Sequence, residues 1–158
     1  MRTISKTCLT ALSLFLGLTL MAPSFAAKDP NLNAIKARQG EMQLKSFNAG
    51  PLFGMAKGKM AYNAELASTL ANNLLLQTKM DLGRAWPKGT DNTAYEETDA
   101  LPEIWSTYPE IAEKGKAYVK AVEELAAVAG NGVDALKSKI GALGKGCKGC
   151  HDDFREKQ

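Results

Sequence analysis

Apolar positions recur along this chain at steps of three and four rather than two, which is the spacing of one face of a helix. After Asp29-Pro30, an N-cap acid followed by proline at the first helical position, Leu32, Ile35, Gln39 and Met42 mark a first stripe, and the Gly50-Pro51 pair is where that helix should break. A second helix is predicted from about Met55 to Asp81, with Tyr62, Leu66, Thr69, Asn73, Leu76 and Met80 on its inner face and Gly83 and Pro87 closing it. A third begins near Pro109 and carries Ile111, Tyr118, Val122 and Leu125 as far as Gly130-Asn131-Gly132. The fourth, capped by Asn131, shows Val133, Leu136, Ile140, Leu143, Cys147, Cys150 and Phe154 in unbroken three-four alternation, the seam of a helix packed in a bundle. No segment sustains a period of two with β-branched residues. The prediction is therefore an all-α protein, an antiparallel four-helix bundle with two short turns and one long connection, Leu82 to Tyr108. Trp86 and Trp105 bracket that connection and read as apolar anchors that dock its ends.

The first 26 residues break the pattern. Arg2 and Lys6 form a short basic head, Cys8 to Met21 is an uncharged apolar run, and Ser24-Phe25-Ala26 supplies the small residues that a signal peptidase reads. Residues 1–26 are thus expected to be a secretory signal peptide cut after Ala26, leaving a single domain, 27–158, in the periplasm. At about 14 residues the apolar run falls short of the roughly 20 that a spanning helix needs, so no membrane span is expected after cleavage. Cys8 leaves with the signal. So do Arg2 and Lys6, which reduces 20 basic residues to 18 against 17 acidic ones. A near-neutral chain with scattered, matched charges offers no nucleic-acid face.

Two cysteines and the only histidine remain, packed into Cys147-Lys148-Gly149-Cys150-His151. At i, i+3 and i+4 on the fourth helix all three project from one side, and the cysteines lie on the stripe that faces the core. A structural zinc ion needs four ligands, and this cluster offers three with no further Cys or His to complete them. A thioredoxin-like pair belongs at a strand-to-helix junction, where a helix start lowers a thiol pKa, and not deep in a terminal helix of an all-α chain. Cys-x-x-Cys-His as one contiguous unit is the attachment signature for c-type haem: the thiols add across two vinyl groups and the histidine that follows becomes an axial iron ligand. One covalently attached haem c, buried in the bundle near the C-terminal helix, is the cofactor expected.

With Cys-Lys-Gly-Cys-His-Asp-Asp-Phe-Arg near the C-terminus, Arg-Gln-Gly-Glu-Met in the first helix and Pro-Glu-Ile-Trp before the third, the chain resembles the cytochrome c′ and cytochrome c-556 group over nearly all of its mature length. The resemblance implies a periplasmic monohaem four-helix bundle, often a homodimer through its first two helices. It also implies Cys147 and Cys150 as thioether attachments, His151 as proximal ligand with Arg155 close by, Arg38 near a haem propionate, and Met42 over the distal face. Arg155 follows His151 by one helical turn and Arg38 precedes Met42 by one, so each guanidinium is spaced to reach a haem edge, where it suits a carboxylate fork.

Met42 separates two functions. A thioether bonded to iron gives a six-coordinate electron carrier serving redox partner proteins; one that only packs over the iron leaves room for a small gas such as NO or CO. Its unbranched thioether favours ligation. Lys45, about 300° around the helix at roughly 100° per residue, is set aside as a competing ligand. A peroxidase would need a distal acid-base group, and no second histidine exists to serve, so electron transfer without an enzymatic role is expected. Mass spectrometry of protein exported to a periplasm should find a chain starting at Ala27 with one haem that stays attached in acid organic solvent. An uncleaved haem-loaded chain, or haem lost to the solvent, would contradict these expectations.

Overall fold

The structure is a computed structural model that describes residues 29–157, so the segment 1–26, expected to be a signal peptide, lies outside the described residues. Helix α1 spans Pro30–Ala56, and its start follows the sequence closely: the Asp29 side chain accepts from the Asn31 amide at 2.8 Å, with proline in the first turn. Its end does not. The helix continues through Pro51, where a break is expected. Proline removes the bond to the Phe47 carbonyl, but Phe47 is 73% exposed and water can satisfy that oxygen, while Leu52 and Met55 beyond it are fully buried and hold the last turns down. Gly58, at φ 68°, then turns the chain, and its amide donates to the Met55 carbonyl at 3.1 Å.

Helix α2 is Ala64–Gln77, shorter than the predicted span, because Asn63 caps it by accepting from the Leu66 amide at 2.8 Å. Its buried face is Ala67, Leu70, Ala71, Leu74 and Gln77. The stripe expected inside is turned outward, leaving Leu66, Leu76 and Met80 exposed at 38%, 61% and 53%. The helix carries two apolar stripes, and the alanine-containing one packs inward because small side chains let neighbouring helices approach.

Helix α4, Tyr108–Ala126, and α5, Val133–Phe154, follow the predicted stripes, with Val122, Leu125, Leu136, Ile140 and Leu143 buried. The turn between them differs from expectation. Gly132, at φ 111°, is the N-cap of α5, and Asn131 instead reaches back to the Ala127 carbonyl at the end of α4. Tyr62 locks this turn, its hydroxyl accepting from the Gly132 amide at 2.9 Å and donating to the Ala129 carbonyl at 2.8 Å.

The long connection carries a 3₁₀ turn at Gly83–Ala85 and a one-turn helix, α3, at Glu103–Ser106. Among the described residues the only β pairing is one isolated bridge, Ala100 to Arg155, which fastens the connection to the end of α5. The apolar interior forms two clusters. The larger joins α1, α2, α4 and α5 around Leu52, Leu74, Leu125 and Leu143; the smaller gathers Ala100, Ile104 and Phe154 with Trp86, Trp105 and Ile111. Tyr62→Phe should lower the unfolding free energy by about 1–2 kcal/mol in urea, since it strands a partly buried amide and a carbonyl while leaving the ring in place.

Candidate functional site

Cys147 packs against the larger cluster and Cys150 against the smaller, so the two thiols sit on the seam between them. A cavity of about 350 Å³ opens beside them, bordered by Cys147, Cys150 and His151 of α5, by Met42, Lys45, Ala49 and Phe53 of α1, and by Leu74, Lys114, Tyr118 and Leu143. The sequence places these groups there by two devices. The three-four spacing on α5 brings both sulfurs and the imidazole to one side. Gly146 lets α5 lie against α4 at this level, because a Cβ there would come within 3.2 Å of the Tyr118 Cα.

Both cysteines are free thiols. Burial pushes the two thiols above their ordinary pKa, opposed by Lys45 at Cys147 and by Lys114 and Lys45 at Cys150. Burial pushes the His151 imidazole below its usual value, helped by the Arg155 and Lys45 charges. The histidine is therefore held neutral at pH 7, the form in which it donates a lone pair to a metal. Among the described residues no three Cys, His, Asp or Glu side chains converge as a bare metal ion would require. Two thiols and an imidazole spread along one wall of an apolar cavity instead fit a large apolar group attached at two points and ligated at a third.

Met42 lines the cavity, but at its mouth, where it is 38% exposed. Arg38 is not among the lining residues. It is buried beneath the long connection, where one terminal nitrogen donates to Thr90 Oγ1 at 2.7 Å and to the Ala85 carbonyl at 3.4 Å. The other donates to the Thr90 carbonyl and to Thr98 Oγ1 at 2.9 Å. Its guanidinium also lies 4.8 Å from the Trp86 ring centre and 5.9 Å from that of Trp105. The two tryptophans pack as predicted, with Trp105 Nε1 donating to the Trp86 carbonyl at 3.0 Å. Arg155 does not continue the α5 face. It is the C-cap in extended conformation, because the backbone turns to pair with Ala100, and its side chain is exposed while its charge still acts on His151.

Lys45 does not lie on the far side of α1. A rotation of 300° one way is only about 60° the other, and Lys45 borders the same cavity as Met42. Tyr118, read from the sequence as a core position, forms part of the wall, as do Phe53 and Lys114, which no motif marks. The one signal that points to Lys45 is the Glu41-to-Lys45 spacing of an i,i+4 ion pair.

The profile of the family described as Cytochrome C′ matches residues 33–155. This chain belongs to the cytochrome c′ family. A cytochrome c′ from Cereibacter sphaeroides is 37% identical over 142 residues, spanning 89% of this chain and 95% of the relative. A solved cytochrome c′ from Rhodobacter, 37% identical, superposes with a TM-score of 0.80 over 81% of this chain and 98% of its own. Two solved variants of cytochrome c′ from Alcaligenes xylosoxidans also match. The carbon-monoxide-bound one is 29% identical with a TM-score of 0.70, covering 80% of this chain and 97% of its own. The nitric oxide complex is 28% identical with a TM-score of 0.72, covering 84% and 100%. The cytochrome c′ family carries covalently attached haem c, and that is the cofactor of this chain.

Arg38→Ala should cost about 3 kcal/mol or more, because acceptors buried around the guanidinium lose their donors together. Guanidinium denaturation would show this as a lowered midpoint, while a midpoint at the wild-type value would mean that Arg38 does not hold the connection.

Proposed function

We propose that this chain is a periplasmic monohaem cytochrome that passes single electrons between partner proteins. The observation that carries the reading is the cavity's position: its border includes the exposed residues Met42, Ser46, Gly50 and Gly115, so a group held at Cys147, Cys150 and His151 would have an edge close to the surface. Cys147 and Cys150 would hold the haem through thioethers, each thiol supplying both its sulfur and its hydrogen to one vinyl group, so that no atom is lost. His151, held neutral, would supply its imidazole to the iron. Haem supplies an iron that changes charge by one electron or takes a sixth ligand. Arg155 places a positive charge beside His151, and Arg38 holds the long connection, whose Trp86 and Trp105 pack in the same cluster as Cys150. No enzymatic role is proposed.

The remaining partner is a second copy. Leu44 and Phe47 of α1 and Leu66 and Leu76 of α2 are exposed apolar residues at 48%, 73%, 38% and 61%, which supports a homodimer through these two helices.

A second reading, binding of NO or CO at the iron, is supported by the apolar wall of Phe53, Leu74 and Leu143 and by the gas-bound relatives. Met42 decides between the two, and its thioether is expected to be the sixth ligand. The reduced holoprotein should then have a low-spin absorption spectrum that ignores CO, and Met42→Ala should become high-spin and CO-reactive. A wild type already high-spin and ready to take CO would reverse the order of the two readings.

A further inference from the structure

Glu41 and Lys45 have no role in the reading above, yet among the described residues theirs is the ion pair least exposed to water. Lys45 Nζ lies 2.7 Å from Glu41 Oε1, one turn earlier on α1, in the Glu-before-Lys order that suits a helix. The same nitrogen lies 4.8 Å from the centre of the Tyr118 ring on α4, within cation–π range. A long, flexible side chain is thus fixed at two points on two helices. The pair is also largely withdrawn from water, its side chains only 23% and 6% exposed for Lys45 and Glu41. Partly buried charges of this kind are costly to keep and poorly screened by salt.

The orientation of the pair gives it a direction. Lys45 borders the cavity with Cys147, Cys150 and His151, whereas Glu41 is not among the residues that line it. The positive end therefore faces the cavity and the negative end faces the protein. Lys45 shares one cavity border with both thiols and the imidazole, which places its charge within electrostatic reach of all three attachment points. The other charges reaching that wall are Lys114, whose ammonium is paired with Asp153 at 2.5 Å, Arg155, Asp152 and Asp153. Of the lysines on the border, Lys45 is the one held by a carboxylate outside the cavity and by a ring within its wall.

We propose that Lys45, clamped by Glu41 and Tyr118, is a potential-setting residue whose fixed positive charge raises the reduction potential of the group held at Cys147, Cys150 and His151. The inference rests on the haem reading. A haem that accepts one electron from an external donor gains one negative charge, and a fixed cation nearby stabilises that state over the oxidised one. Glu41 opposes the effect more weakly, because it stands further from the cavity border.

The test is a redox titration of purified holoprotein at fixed pH, comparing wild type with Lys45→Met, Lys45→Arg and the double variant E41Q/K45M. Lys45→Met is expected to lower the equilibrium constant for reduction about tenfold, or about 59 mV for one electron. Lys45→Arg keeps the charge and should stay near wild type. The double variant should shift in the same direction by a smaller amount, and because it strands no buried carboxylate it also serves if Lys45→Met does not fold. A structural role alone would lower the melting temperature of Lys45→Met and leave its potential in place. Covalently loaded Lys45→Met, or the loaded double variant, at the wild-type potential would overturn the inference and leave the haem reading standing. A chain that takes up no covalent haem would overturn both.

Discussion

A guanidinium taken out of water must be surrounded by acceptors, and meeting that demand for Arg38 organises the least regular part of this protein. The connection between α2 and α4 has little helix of its own to hold it. It gains a shape by wrapping its carbonyls and hydroxyls around one cation from α1 and covering that cation with two indole rings. The same wrapping builds the smaller apolar cluster, in which Phe154 is buried and against which Cys150 packs. Burial pushes the Arg38 pKa down while Asp91 pulls it back up, yet arginine keeps its proton under any ordinary condition, so this organising charge does not switch off with pH.

Where side chains in the core are apolar, the sequence reveals the fold well. The stripes of α4 and α5 are Leu, Ile and Val at helical spacing, with no rival face, and the structure buries them as predicted. The cofactor unit was legible for a different reason: three rare residues in five positions form a covalent pattern that owes nothing to packing. On α1 the periodicity is misleading, since the buried residues are Ile35, Arg38, Glu41, Asn48, Ala49, Leu52 and Met55, and three of those seven are polar. Hydropathy cannot find a face whose burial depends on partners elsewhere in the chain, such as Thr90 and Thr98 for Arg38 or Asn73 for Asn48. On α2 the fault is ambiguity, because two apolar stripes compete and only the neighbours decide which turns inward. Lys45 and Tyr118 were hidden because each reads locally as ordinary, a surface lysine and a core aromatic, until two helices bring them together.

The cavity walls divide the work by helix. One helix, α5, supplies both thiols and the imidazole that would attach a cofactor, while α1 supplies the residues that would face it from the other side, including a thioether and an ammonium. Function can therefore be varied on α1 without disturbing attachment on α5. The small residue at Gly146 matters for the same reason, since it sets how closely the attaching helix lies against α4 and so where the wall stands.

The seam between the two apolar clusters has a mechanical consequence. Each cluster alone could open while the other held, which would make unfolding a process of parts. Cys147 is packed with one and Cys150 with the other. Both sulfurs stand on one turn of α5, so a rigid ring bonded through them would be fixed at the seam itself, where it could pack against both clusters. With the cofactor in place, opening either cluster would also expose the ring, so the chain's resistance to partial opening would belong to its prosthetic group as much as to its helices.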